Sequence, residues 1–168
     1  TMNQLYEDRE RLAVNVVGAF AAQEEVGMRG ATVTSQVVKP DLAIVFEGSP
    51  SDDFYSSTGE TQGRMRGGFQ IRLMDKSYIS NPLFIQYAEE VAKKYGIRYQ
   101  ETVRRGGSTN AGKISLTGKA VPVLVLGVPS RYVHTHYNFC AGADLEAAAD
   151  LAAEVIRGLD IERIQHIC

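Results

Sequence analysis

The sequence predicts an α/β fold, a three-layer sandwich in which a mixed, mainly parallel sheet is flanked by helices. Three observations carry this. Short, β-branched apolar runs at residues 13–22 (AVNVVGAFAA), 42–46 (LAIVF) and 121–126 (VPVLVL) read as buried strands. Residues 83–95 place Leu83, Tyr87, Val91 and Tyr95 at helical spacing, between a capping Asn81-Pro82 and a terminating Gly96. Strands and helices alternate along the chain, which is the pattern of helices packed on both faces of a sheet. With 168 residues, 44% of them hydrophobic, one domain is expected.

The elements follow in order. Residues 1–11 (TMNQLYEDRER) look like the last turns of an amphipathic helix, with Met2, Leu5 and Tyr6 on one side. This helix meets the first strand with no lead-in, so the chain is expected to be the C-terminal part of a longer protein. The sandwich would be truncated at its N-terminus, with Met2 and Leu5 poorly covered. A helix over residues 27–37 follows the strand at 13–22, and Lys39-Pro40-Asp41 breaks it before the strand at 42–46. A Ser/Asp/Gly-rich loop is expected over residues 48–63. Residues 69–74 alternate, with Phe69, Ile71 and Leu73 on one face. After the helix at 83–95, a fourth strand at 97–103 runs into a glycine-rich loop at 106–112. Pro122 marks the strand at 121–126 as an edge strand or as starting there, and Gly127-Val128-Pro129 is expected to end it. Asp144 is expected to cap the final helix, whose inward stripe is Leu145, Ala148, Ala152, Val155 and Leu159.

Bulk properties exclude several classes. The net charge of −2 and basic clusters no larger than Arg64/Arg66 and Arg104/Arg105 argue against a nucleic-acid partner. No run of ~20 apolar residues is present, so no membrane partner is expected, and the N-terminal residues lack the pattern of a signal peptide. Two cysteines, Cys140 and Cys168, form no disulfide framework and fit a reduced, cytoplasmic setting.

The candidate chemistry sits at strand ends. Gln23-Glu24-Glu25 follows the run at 13–22, and two adjacent carboxylates there need a partner or a metal. The carboxyl ends of strands are where open α/β sheets place their ligand crevice. Glu47 follows the second strand and His134 follows the fifth. Taken singly, Glu47 reads as a surface residue and His134 as a structural one; together they form a carboxylate and imidazole set suited to zinc, cobalt or manganese. The loop at 106–112 lacks the Gly-Lys-Ser/Thr ending of a phosphate cradle and reads as a tight loop of close backbone approach. Ser108 and Ser130 lie outside a Gly-x-Ser-x-Gly elbow. Cys140, near His136, reads as a packed free cysteine.

Four ordered motifs carry a resemblance. Residues 23–31 (QEEVGMRGA) resemble the QEEVGxRGA motif of the tetrahedral and glutamyl aminopeptidases of metallopeptidase family forty-two, some of which carry cellulase or endoglucanase labels. Residues 40–47 (PDLAIVFE) with Asp53 resemble the PDxAIxxD segment and its later Asp. Residues 107–112 (GSTNAG) resemble the GGTDAG loop, with Asn110 in place of an aspartate. Residues 127–135 (GVPSRYVHT) resemble GxPxRYxHS. The resemblance implies a zinc-peptidase-like fold, one domain over residues 1–168 that is the C-terminal portion of a catalytic domain, and no family insert domain. It implies two divalent metal ions that activate a water for hydrolysis of N-terminal residues from peptide substrates, with self-association into tetrahedral dodecamers.

By position, Glu24 matches the catalytic carboxylate, general base toward the water and then acid toward the leaving amine. Glu25 and His134 match ligands of one metal, and Glu47 stands where the family has an aspartate ligand of the other. The family's His-x-Asp motif and bridging aspartate, which precede the first motif, are not in these 168 residues, and His136 is not a convincing replacement. Partial or no metal occupancy and no turnover are therefore expected of this chain. The alternative is a non-catalytic remnant serving folding or oligomer assembly. A sugar-hydrolase reading comes third, because two adjacent glutamates do not flank a glycosidic bond.

Overall fold

A computed structural model describes residues 1–55 and 60–168. Its element order is α1 (Met2–Asp8), a 3-10 turn (Arg9–Arg11), α2 (Arg29–Val38), β1 (Ala43–Pro50), β2 (Phe69–Met74), α3 (Pro82–Tyr95), β3 (Tyr99–Val103), α4 (Ala111–Ile114), β4 (Val123–Arg131), β5 (Phe139–Cys140), α5 (Gly142–Arg157) and α6 (Ile161–Ile167). The main strands lie in the order β1-β4-β2-β3. β1 and β4 are parallel, in register from Ala43↔Val123 to Pro50↔Ser130. β2 and β3 are also parallel. β4 meets β2 antiparallel, and short β5 pairs antiparallel with the end of β4. The sheet is thus mixed, with its longest pairing parallel.

β4 is buried on both faces, which is why it reads as an unbroken apolar run. Leu124, Leu126 and Val128 face one layer with Phe69 and Ile71, against Phe84, Ala88, Leu151 and Val155 of α3 and α5. Val123 and Val125 face the other layer with Val45, Tyr78 and Ala111. Two cores on opposite sheet faces make the three layers. Pro122 lies just before β4, and its carbonyl accepts the Ala43 N–H at 3.0 Å. The strand does not end at Gly127-Val128-Pro129 but runs to Arg131. Pro129 falls between the pairings to β2 and to β5, where a missing N–H breaks no ladder bond.

Several expectations are corrected. Residues 13–22 form no strand: they join no ladder, and Val17 and Phe20 are 60% and 97% exposed. β-branched composition needs a neighbouring strand to become a strand, and none of the described strands pairs with this segment. Leu5 is buried rather than poorly covered, because α1 packs on α5 through Thr1 Oγ1 to the Ala149 carbonyl (3.1 Å), Gln4 to Asp150 (2.7 Å) and Arg157 to Asp8 (2.8 Å). Met2 is 44% exposed. The loop expected over residues 48–63 begins later, since β1 continues through Pro50, and its residues 56–59 lie outside the described residues. Leu145 is exposed and the inward stripe of α5 runs instead through Asp144, Ala148, Leu151, Ala152 and Val155. Helix α6 follows α5, so α5 is not the last. Cys140 is exposed rather than packed.

Asp144 does not cap α5; Ala141 holds that position. Its buried carboxylate reaches across to the residues entering β2, accepting N–H groups from Arg66 (2.7 Å) and Gly68 (2.9 Å). Asp144→Ala leaves both donors unsatisfied, and chemical denaturation is expected to show a loss of roughly 2–4 kcal/mol. Asp144→Asn, which keeps an acceptor oxygen, is expected to lose clearly less.

Candidate metal centre

The Gln23-Glu24-Glu25 segment is held by a tight turn rather than by a strand end. The Glu24 carbonyl accepts the N–H groups of Gly27 (3.1 Å) and Met28 (2.8 Å), and the Gln23 carbonyl accepts Arg29 N–H (3.2 Å). The turn needs left-handed backbone at Gln23, Gly27 and Met28. It delivers the chain into α2, whose Gly30 lies against the Ala22 backbone so closely that any Cβ would collide with it.

Glu47 lies inside β1, half-buried, opposite Gly127 of β4. A side chain at Gly127 would press within 2.9 Å of the Ser49 Cβ, so the bare glycine opens this face of the sheet. His134 comes three residues after β4, in a turn where Tyr132 and His134 both adopt positive φ and the Thr135 N–H and hydroxyl bond the Tyr132 carbonyl at 3.1 and 2.7 Å. Two non-glycine residues in this conformation mark a strained loop.

These segments meet. His134 Nδ1 lies 3.5 Å from Glu25 Oε2, although both side chains are about two-thirds or more exposed. Burial and then the Glu25 charge push the Glu24 carboxyl up, with His134 opposing. Glu47 is pushed up to about 7, first by burial and then by the Glu24 charge, with Arg72 opposing and Glu25 adding. Three carboxylates crowd where one histidine and one buried arginine answer them.

The donor chemistry fits a cation in part. Zinc bonds of ~2.0–2.2 Å at a tetrahedral angle set an oxygen and a nitrogen donor about 3.3–3.5 Å apart, close to the Glu25–His134 separation. Among the described residues no three His, Cys, Asp or Glu side chains gather closely enough to hold an ion, so Glu47 stands beside this pair and not in it. His136 turns elsewhere, stacking on Tyr137 with centroids 4.2 Å apart.

Residues that the sequence reading passed over support Glu47. Arg72, on the polar face of β2, is buried and clamped by Asp75 (3.3 Å) and by the Ser49 hydroxyl (2.7 Å). Asp75 also accepts Ser77 N–H (2.7 Å) and the Thr109 hydroxyl (3.3 Å), which ties the glycine-rich loop to the end of β2. An arginine between Ile71 and Leu73 in an alternating strand was the available signal.

The crowding makes a measurable prediction for the metal-free chain. Glu47 is expected to titrate near 7 when its carboxyl carbon is followed by NMR, and Glu24→Gln to lower that midpoint by removing the like charge. An unchanged midpoint in the variant would mean the two carboxylates do not share a field. Because the ordinary value is 4.5, the folded chain binds this proton more tightly than the unfolded chain. The group therefore favours folding at low pH, and that contribution is lost as pH rises from about 4.5 through 7.

Comparison with known proteins agrees with this architecture. The family model described as M42 glutamyl aminopeptidase matches residues 1–151. A glutamyl aminopeptidase of Lactococcus lactis is 31% identical over 160 residues, covering 95% of this chain and 44% of that protein. A lysyl aminopeptidase of Pyrococcus furiosus is 31% identical over 144 residues, covering 83% and 39%. The TET aminopeptidase of Thaumarchaeota archaeon SCGC AB-539-E09 superposes with a TM-score of 0.85 at 34% identity, over 88% of this chain and 42% of that one. The TET1 peptidase of Pyrococcus horikoshii, which can assemble into a tetrahedron or a large octahedral shell, gives 0.72 at 26%, over 83% and 40%. The chain spans less than half the length of each of these proteins. On the match over residues 1–151, the chain belongs to the M42 glutamyl aminopeptidase family.

Proposed function

We propose that these 168 residues are the C-terminal portion of a metallo-aminopeptidase catalytic domain, and that the whole protein removes N-terminal residues from peptides. The observation that carries this reading is the 3.5 Å approach of Glu25 to His134 from segments far apart in sequence, with Glu24 and Glu47 crowded beside them. In this reading Glu25 and His134 hold one divalent ion, Glu47 contributes to a second, and zinc, cobalt and manganese all suit the donors. Two such ions, when bound, would lower the pKa of a water and polarise the scissile carbonyl.

The chain's own residues supply proton movement and orientation. The Glu24 carboxyl is already raised by burial and by Glu25. It is suited to take a proton from the attacking water and return it to the leaving amine. Glu25 and His134 approach each other to 3.5 Å and would take one ion between them. Arg72, locked by Asp75 and Ser49, fixes the sheet face under Glu47. The similar TET1 peptidase can assemble into a tetrahedron or a large octahedral shell, and self-association of the whole protein belongs to the same reading. No helix among the described residues is long and apolar enough to cross a membrane, and two exposed free cysteines suit a cytoplasmic setting.

Cleavage of aminoacyl-nitroanilides by this chain and by the whole protein, with and without zinc, cobalt or manganese, tests the reading. The whole protein is expected to turn over, and Glu24→Gln to reduce kcat by at least ~100-fold. The 168-residue chain is expected to bind metal weakly and to show no turnover, because a lone Glu47 leaves the second ion with one ligand. Metal-dependent turnover by the chain itself, abolished by Glu24→Gln, would overturn that assignment of ligands.

A further inference from the structure

We propose that Asp53 is a positioning residue for His134: through Arg131 it pins the base of the turn that presents the imidazole, and so strengthens that turn's hold on a divalent ion. This rests on the metallo-aminopeptidase reading, in which Glu25 and His134 share one ion.

His134 stands in a hairpin loop. β4 ends at Arg131 and β5 returns beside it, with Arg131 opposite Phe139 and Ser130 opposite Cys140. Inside the loop the bonds are local. Thr135 N–H and hydroxyl reach the Tyr132 carbonyl at 3.1 and 2.7 Å, and Tyr137 N–H reaches the Thr135 hydroxyl at 3.2 Å. Tyr132 and His134 take left-handed backbone, with φ of 56° and 66°. Non-glycine residues keep that conformation where their surroundings impose it.

Glu25 does not supply that constraint. Its side chain and that of His134 are 71% and 68% exposed, and an exposed pair of this kind is weak in water. The tie to a separate segment lies at the base of the loop. β1 and β4 leave the sheet together, and Ser51 N–H bonds the Ser130 carbonyl at 2.8 Å. Two residues on, the Asp53 carboxylate accepts from Arg131 Nη2 on both oxygens, at 3.3 and 3.2 Å. Asp53 is itself fixed by the Ser51 hydroxyl and by Met65 N–H at 3.2 Å. Its neighbour Asp52 accepts the N–H groups of Gln62 and Gly63, which folds the chain carrying Asp53 back on itself. The Asp53 and Arg131 side chains are 18% and 32% exposed, so this pair is less screened than Glu25–His134. It holds Arg131, three residues before His134, at the point where the loop leaves the strand.

A positioning effect and a simple field effect differ in sign at Arg131. Removing the Asp53 charge weakens a cation's binding in either case. Removing the Arg131 charge strengthens binding if only the field matters, and weakens it if the turn is released.

The test uses the 168-residue chain, with the His134 imidazole followed by NMR during zinc titration. Asp53→Asn and Arg131→Gln are each expected to weaken zinc at least about fivefold, and the double variant no more than about twofold beyond either, because both cut one contact. Arg131→Lys is expected to stay within about twofold of the unaltered chain, since a single nitrogen makes both contacts and no bidentate fork is lost. Amide exchange supplies a metal-free readout. The Thr135 amide is expected to exchange at least about fivefold faster in both single variants, while the amides of α3 and α5 keep their rates.

Tighter zinc binding by Arg131→Gln, unchanged affinity in either single variant, additive losses in the double variant or unchanged Thr135 exchange would overturn the proposal. Faster exchange in α3 and α5 would overturn it too, because the pair would then serve the fold as a whole. An unaltered chain whose His134 resonances ignore zinc refutes the metal reading instead, and Thr135 exchange still decides whether Asp53 pins the turn.

Discussion

The parallel pairing of β1 with β4 is the constraint from which the rest of the molecule takes its positions. Parallel strands have evenly spaced, slanted hydrogen bonds and need both faces covered, and this pairing holds its register without a slip for eight residue pairs. Because side chains alternate, that register sends Ile44, Leu124 and Leu126 into one core and Val45, Val123 and Val125 into the other. It also sets Glu47 opposite Gly127, where the lack of a side chain lets Ser49 reach Arg72. A one-residue slip would reverse every face. It would turn Glu47 toward the layer of α3 and α5 and away from Arg72.

The same register brings the chemistry to one place at an electrostatic cost. Glu47 is drawn toward its neutral form by burial and by Glu24, and Arg72 offsets this only in part because Asp75 already engages it. A carboxylate cluster that its own protein neutralises incompletely is suited to receiving positive charge from elsewhere. The strained backbone at Gln23, Met28, Tyr132 and His134 falls in the two turns that carry these side chains. Lys39, Arg66 and Ala120 share this conformation elsewhere in the chain, so the strain attends these turns without being peculiar to them. Sheet register and charge crowding meet where the QEE turn approaches the loop after β4.

How much of this the sequence disclosed depended on the range of the interaction. The strand at Phe69–Met74 and the helix bounded by Asn81-Pro82 and Gly96 were legible to the residue, because alternation and capping are local; Asn81 Oδ1 accepts the N–H groups of Leu83 and Phe84, and Gly96 takes the left-handed turn. Asp144 was misread for the opposite reason. A carboxylate near a helix start looks like a cap, and only the fold reveals that its acceptors serve Arg66 and Gly68, more than seventy residues away. Of the candidate site, Glu24, Glu25, Glu47 and His134 were visible as motif positions. The clamp on Arg72 was not, since Ser49, Asp75 and Thr109 come from three separate segments.

Residues 13–22 show what happens when local preference lacks its tertiary partner. The segment has the composition of a strand, yet Phe20 is almost fully exposed and no described strand pairs with it. It nevertheless leads into the turn that brings Glu25 to His134. What fixes the far end of this carrier is the contact of Gly30 with the Ala22 backbone and the Glu25–His134 pair. An exposed pair of that kind is worth only about 0–1 kcal/mol in water, too little to hold a ten-residue segment whose ordering opposes it. A cation bound between Glu25 and His134 would therefore do more than prepare a reaction. Its binding energy would also be folding energy, joining the QEE turn to the end of β4, so occupancy of such a site and order of the segment that builds it would be one equilibrium.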